Sequence, residues 1–91
     1  MKYKIVPSNQ FRKDLKLAQK RGYDLDKIKK VITALAYGET LEAKYRDHLL
    51  TGDYGGYREC HIQPDWLLVY QVNGDELVLF LARTGTHSDL F

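Results

Sequence analysis

The first 22 positions alternate and repeat in a way that predicts a short strand followed by a helix. Residues 2–6 alternate in character, as expected for a strand with one buried face, and Pro7 ends the run. Ser8 then stands where a helix N-cap is expected, and Gly22 stands where that helix would end. Between them an apolar stripe recurs at helical spacing, formed by Phe11, Leu15 and Ala18.

Residues 23–38 predict a second amphipathic helix. Asp24 stands at its start and Gly38 at its end. Its apolar stripe is formed by Leu25, Ile28, Ile32 and Leu35. Because only about three residues separate the two helices, we expect them to form an antiparallel helical hairpin.

From residue 47 onward the period of the apolar positions shortens towards two and turn residues multiply, which predicts strands. A glycine-rich loop, Pro64 and the pair Asn73–Gly74 divide this half into four runs, 47–50, 57–62, 66–72 and 76–83. The element order predicts a single α+β domain, residues 1–91, in which an N-terminal strand and a helical hairpin pack on a twisted antiparallel β-sheet.

The pair Asn73–Gly74 is a strong signal for a two-residue hairpin turn and therefore predicts a register for the last two strands. That register pairs Val72 with Asp75, Tyr70 with Leu77, Leu68 with Leu79 and Trp66 with Leu81. It also puts Arg83 on the sheet face of Trp66. With a short connection through Pro64, we expect five residues to meet at one end of the sheet: His61, Asp65, Trp66, Arg83 and His87.

Charge is distributed unevenly along the chain. Residues 1–46 carry 12 Lys and Arg against 5 Asp and Glu, a net charge of +7, whereas residues 47–91 carry 2 against 7, a net charge of −5. The basic half suits contact with a polyanion. The alternative is that these basic side chains are the solvated faces of ordinary helices.

Cysteine usage and hydropathy exclude several classes of protein. The single cysteine, Cys60, allows no internal disulfide, so we expect it to pack in the core of a protein kept in a reducing, cytoplasmic environment. No apolar run approaches the ~20 residues that cross a bilayer, and no membrane partner is expected. A metal site built from His61, Asp65, His87 and Asp89 is weakly supported, because neither a helical HxxxH motif nor cysteine spacing accompanies them.

The acidic half contains the side chains needed to cleave RNA without a metal. A base must take the proton of the 2′-hydroxyl group, a cation must stabilise the phosphorane, and an acid must protonate the leaving 5′-oxygen. Histidine suits both proton roles, and the guanidinium of Arg83 suits the phosphorane. Trp66 or Phe91 would hold an unstacked base.

Each of these residues also has a purely structural interpretation. The alternatives are partly buried imidazoles for His48 and His61, core packing for Trp66, a surface ion pair with Asp65 for Arg83, and an anchor for the chain end at Phe91.

Four runs of sequence closely resemble the YafQ branch of the RelE/ParE toxin superfamily. They are KYRDHLLTG at 44–52, GYRECHI at 56–62, PDWLLVY at 64–70 and RTGTHSDLF at 83–91. The combination is far more specific than any single motif, and the resemblance covers essentially the whole chain. It implies a RelE-like fold.

The resemblance also implies a function, that of the toxin in a bacterial type II toxin–antitoxin pair. Such a toxin is an mRNA interferase, an endoribonuclease that enters the ribosomal A site and cuts the codon there without a metal or other cofactor, which inhibits translation. Its implied partners are the 70S ribosome with its mRNA and a cognate DinJ-like antitoxin. Two rivals are a ParE-like toxin that binds a topoisomerase and an inactive RNA-binding module, although neither needs an acid and base set.

Six positions match the YafQ-type active site, and the resemblance implies a role for each. His87 would be the leading general acid, and Asp65, alone or with His61, would be the base or would orient it. The other roles are phosphorane stabilisation for Arg83, contact with the RNA backbone for His48 and nucleotide positioning for Phe91. The division between acid and base stays open, because interacting groups exchange such roles easily. Trp66 fits the pattern either as support or as a stacking surface.

The resemblance gives the basic half a purpose, since its helical lysines would face ribosomal RNA. Contacts of this kind supply affinity that is independent of sequence and weakens with salt. The lysines concerned are Lys13, Lys16, Lys20, Lys27, Lys29 and Lys30.

Overall fold

A computed structural model describes residues 1–91 as a five-stranded sheet with two long helices and one short C-terminal helix. The elements in chain order are β1 (Lys4–Pro7), α1 (Asn9–Lys20), α2 (Leu25–Ala36), β2 (His48–Leu49), β3 (Arg58–Gln63), β4 (Trp66–Asn73), β5 (Val78–Gly85) and α3 (His87–Leu90). The α+β prediction is confirmed. None of the helices has the length and apolar character that crossing a membrane requires.

The sheet is mixed, with the strand order β1-β5-β4-β3-β2. Strands β2 to β5 form the expected antiparallel meander, whereas β1 adds to the edge of β5 in parallel. Strand β1 pairs only with residues 78–81 of β5, so the rest of that edge is left to α1. There the Ser8 hydroxyl donates to the carbonyl of Ala82 at 2.8 Å.

The helical hairpin forms where the sequence predicts it. Ser8 caps α1 by accepting the backbone N–H of Phe11 at 2.9 Å, and Asp24 caps α2 through the N–H of Asp26 at 3.0 Å. Both helices end ahead of a glycine in the left-handed region, a conformation that costs glycine little.

The helices cover one face of the sheet and bury the main core there. Trp66 lies in this core, 1% exposed, with its indole N–H donating to the hydroxyl of Thr84 at 2.9 Å and its ring 4.9 Å from that of Tyr23. A ring enclosed in this way has no free surface for an RNA base. The prediction that Trp66 stacks on RNA is therefore wrong, and its structural interpretation holds. Cys60 is buried in the same core.

The predicted register between the last two strands is also wrong. Asn73 pairs with Val78, so the turn spans four residues rather than two, and the Asn73 side chain accepts the backbone N–H groups of Asp75 and Glu76 at 3.1 and 3.0 Å. These bonds stabilise the longer turn, an alternative that Asn side chains commonly offer.

A bulge then moves Arg83 to the other face of the sheet. Tyr70 pairs with Leu81 but Val69 pairs with Arg83, so one extra residue, Ala82, interrupts the alternation of β5. Without the bulge Arg83 would share the face of Trp66, as the sequence predicts. With it, Arg83 lies on the face of Val69, opposite the main core.

Candidate active site

The face of the sheet that the long helices leave open carries the candidate catalytic residues. Across the strands, His48 pairs with Glu59, Glu59 with Val69, and Val69 with Arg83, so these side chains form one row. His61 lies two residues beyond Glu59 on β3 and therefore shares its face.

Three histidines lie side by side on this face. The ring centroids of His48 and His61 are 6.4 Å apart, and those of His61 and His87 are 5.8 Å apart. His87 comes from the start of α3, which packs on β5 through Leu90 and a small apolar cluster with Leu67 and Val69. Short elements from both ends of the acidic half thus bring the imidazoles together.

Asp65 orients His87. Its Oδ1 accepts the backbone N–H of His87 at 3.1 Å and the ring Nδ1–H at 2.9 Å. These two bonds lower the pKa of Asp65 below its usual value, because they stabilise the ionised carboxylate. With Nδ1 carrying the hydrogen, Nε2 of His87 is the ring nitrogen left to face a substrate.

The chain end is anchored by a capped helical turn and an ion pair. Thr86 and Asp89 form a capping box at the start of α3, and Arg21 contacts Asp89 at 2.6 and 3.2 Å. These contacts hold the pKa of Asp89 well below its usual value, with the Arg21 hydrogen bond as the largest cause. Gly85 is needed for this approach, since a Cβ there would lie 2.9 Å from the Asp89 carboxylate.

Arg83 is held by Asp14, a residue that the sequence interpretation missed. Asp14 accepts Nε of Arg83 at 2.8 Å and Nη2 at 3.2 Å, and its carboxylate also accepts the backbone N–H of Thr84 at 3.2 Å. The hydrogen bond to Asp14 raises the pKa of Arg83. Arg83 thus pairs with Asp14 rather than with Asp65. The available signal was an acidic residue three positions after Phe11, within the buried stripe of α1.

Glu59 is the second residue that the sequence interpretation missed. It lies between the histidines, with Oε1 at 3.4 Å from Nε2 of His61 and 3.7 Å from Nε2 of His48. Alternation along β3 was the signal that could have found it, because positions 59 and 61 share a face.

Phe91 lies exposed at the rim of the site. Its side chain is 60% exposed, and its ring meets that of Tyr54 edge-on with the centroids 5.3 Å apart. The backbone N–H of Phe91 donates to the carbonyl of His87 at 2.8 Å. The ring therefore has a fixed base and a free face.

A basic cleft of about 540 Å³ leads from α2 to the histidines. It is bordered by Lys27, Lys30, Lys44, Arg46 and His61. The six predicted lysines are all exposed, but only those two of them line the cleft, and the rest lie elsewhere on α1 and α2.

The sequence model of the family described as "Bacterial toxin of type II toxin-antitoxin system, YafQ" matches residues 3–91. The chain belongs to the YafQ toxin family. Its relatives include the mRNA interferase toxin YafQ of Escherichia coli K12, 48% identical over 88 residues, which cover 96% of this chain and 94% of the relative.

Solved YafQ structures share the fold. One is the E. coli DinJ–YafQ complex, with a TM-score of 0.89, 44% identity and coverage of 98% of each chain. Another is a metal-bound toxin from Helicobacter pylori, with a TM-score of 0.92, 48% identity and coverage of 98% of this chain and 99% of that one.

This YafQ-family chain also has a set of side chains that would suit a metal ion. One ligand atom each from Glu59, His61 and His87 lies within 4.8 Å of the others, and imidazole and carboxylate together suit a transition metal. The set differs from the one considered from sequence, because Asp65 and Asp89 are already bonded to His87 and Arg21.

Proposed function

We propose that this YafQ-family chain is an mRNA interferase, a toxin that cuts mRNA in the ribosomal A site by transesterification and thereby inhibits translation. The observation that carries the proposal is the line of three imidazoles on one open sheet face, one of them oriented by Asp65. Neither docking to a topoisomerase nor passive RNA binding requires such a set.

In the proposed reaction the 2′-oxygen attacks the neighbouring phosphorus while the bond from phosphorus to the 5′-oxygen breaks. The products are a 2′,3′-cyclic phosphate and a 5′-hydroxyl group. His61 takes the 2′-hydroxyl proton, since its Nδ1 donates to the carbonyl of Pro64 at 3.2 Å and Nε2 faces the site. His87 returns a proton to the 5′-oxygen through its free Nε2.

Asp65 serves this reaction as an orienting group. Its lowered pKa makes it a weak base, and its bonds to His87 fix the ring nitrogen that faces the RNA. This arrangement parallels the carboxylate that orients the histidine of a serine protease triad.

Arg83 would stabilise the phosphorane. Asp14 occupies Nε and part of Nη2, which leaves the Nη1 amino group to meet a phosphate oxygen. A guanidinium that is already fixed needs no reorganisation as charge develops, which is the condition for strong electrostatic stabilisation.

The open site favours dependence on the ribosome. His48 and His87 are about half exposed, and Phe91 is the exposed ring at the rim. Such a site grips RNA weakly, so positioning of the A-site codon would come from the ribosome, with Phe91 stacking on a nucleotide and His48 contacting the backbone. The exposed lysines of α1 and α2 would supply the docking contacts with ribosomal RNA.

The partner that neutralises the toxin would be a DinJ-like antitoxin. E. coli YafQ forms a complex with DinJ, and this chain shares its fold over almost the whole length.

Cleavage would be metal-independent, because imidazoles and a guanidinium supply every role. A transition metal bound by Glu59, His61 and His87 would occupy the lone pairs that the proton transfers need, so we expect such an ion to inhibit.

The test is primer extension on mRNA from programmed ribosomes treated with the native chain, His87→Ala or Ser88→Ala. Ser88 is the exposed neighbour in α3 and serves as a matched control. We expect A-site cuts with the native chain and the control and a loss of roughly 100-fold or more with His87→Ala. Equal cutting by all three would remove His87 from the mechanism, and no cutting by the native chain would favour the non-nuclease rivals.

A further inference from the structure

Glu59 places a buried carboxylate between two histidines of the site. It is 4% exposed, and its Oε1 lies within ion-pair distance of both His48 and His61. Burial of a carboxylate is unfavourable unless charged or polar partners compensate. The two imidazoles are the charged partners that the structure provides.

The orientation of both rings is fixed by backbone carbonyls. Nδ1 of His48 lies 2.7 Å from the carbonyl oxygen of Arg46, and Nδ1 of His61 lies 3.2 Å from that of Pro64. A carbonyl oxygen only accepts, so Nδ1 carries the hydrogen in each ring. Nε2 of each ring therefore faces the same oxygen of Glu59.

This arrangement has a consequence for proton transfer. A bare Nε2 and a carboxylate oxygen both present lone pairs and repel, whereas a protonated Nε2 is attracted to the carboxylate. Either ring becomes more favourable in its imidazolium form, which is the form that a base reaches when it has taken a proton. Stabilisation that develops along the reaction is the kind that accelerates it.

We propose that Glu59 is a positioning residue of the cleavage site, whose carboxylate aligns Nε2 of His48 and His61 and stabilises the imidazolium that either ring forms. The proposal rests on the proposed nuclease function. Because Glu59 is buried beneath the rings, it acts through them and makes no contact with RNA.

Glu59→Gln keeps the shape of the side chain and removes its charge. We expect kcat to fall roughly 10- to 100-fold, the factor associated with losing one charge-assisted contact, while KM stays within about twofold. Glu59→Asp keeps the charge but withdraws it and should be intermediate. Glu76→Gln, in the exposed turn at the far end of the sheet, is the matched control and should cut like the native chain.

A cycle of variants separates positioning from a general structural effect. In a background of His48→Ala with His61→Ala, Glu59→Gln should change kcat by less than about twofold, because the groups through which it acts are absent. A loss equal to that in the native background would overturn the proposal, as would a native kcat for the single variant.

Ring-nitrogen NMR gives a readout that needs no activity. In the native chain we expect the Nε2 signal of His48 or His61 to show an attached hydrogen, and Glu59→Gln to remove it while leaving the His87 signals in place. Unchanged His48 and His61 signals would overturn the proposal even if the native chain proved not to cut mRNA. Should Glu59→Gln fail to fold, the rates and spectra of Glu59→Asp decide in the same way.

Discussion

Asp14→Asn tests whether the guanidinium of Arg83 is positioned from α1. Asp14 makes four contacts with side-chain and backbone donors, two of them with Arg83, and its side chain is 8% exposed. In asparagine one of the two acceptor oxygens becomes an amino group, so Arg83 keeps at most one of its two bonds. The lost bond is charge-assisted.

The structure sets the size of the effect. Loss of one hydrogen bond to a charged group costs about 1.5–3 kcal/mol, but Arg83 is 27% exposed, so solvent screening reduces the expected loss to about 1–2 kcal/mol. For a chain of this length that corresponds to a fall in Tm of roughly 5–15 °C. A guanidinium held by one bond is less well fixed, and we expect kcat for mRNA cleavage to fall roughly tenfold or more.

The assay combines thermal unfolding, followed by circular dichroism, with primer extension on programmed ribosomes. Asp75→Asn, in the exposed turn after β4, is the control and should leave both quantities unchanged. A native Tm for Asp14→Asn would refute the energetic reasoning. A lowered Tm with native kcat would show that Asp14 stabilises the fold without positioning Arg83 for catalysis.

Three further predictions concern the chain end and the basic cleft. Deletion of Phe91 should impair A-site cleavage while leaving Tm and antitoxin binding nearly native, since the ring is exposed; undiminished cleavage would make it a packing residue. Because the pKa of Asp89 is lowered from 3.8 by Arg21, its contribution to stability is present above pH ~4 and lost as the pH falls below that value. The difference in Tm between the native chain and Asp89→Asn should therefore shrink between pH 6 and pH 2, and a constant difference would contradict the ion-pair account. Charge reversal at Lys27 and Lys30 should weaken ribosome association and flatten its dependence on salt, whereas unchanged association at moderate salt would exclude the cleft from docking.

The sequence predicts the elements of this fold well because local signals determine them. Caps at Ser8 and Asp24, two apolar stripes and alternating strands are each visible within a few residues of chain. The register of β4 and β5 was not predictable in the same way. It depends on how the Asn73 side chain bonds to the turn and on one bulge residue, Ala82, neither of which changes the hydrophobic pattern.

The candidate site was predicted in its chemistry more than in its contacts. His61, Asp65 and His87 meet as expected, and His48 joins them through β2. The partners Glu59 and Asp14 were missed because a charged residue in a strand or helix looks solvated until the tertiary structure buries it. Trp66 shows the converse, since an aromatic residue suited to stacking on RNA is enclosed by the helices.

The central claim is that this chain cuts A-site mRNA through attack by a 2′-hydroxyl group. The most direct measurement compares ribosomes programmed with an all-ribose mRNA and with the same mRNA carrying a single 2′-deoxynucleotide on the 5′ side of the cut bond. We expect the native chain to cut the first, leaving a 2′,3′-cyclic phosphate and a 5′-hydroxyl group, and to leave the second intact. Equal cutting of both mRNAs, or of neither, would contradict the account.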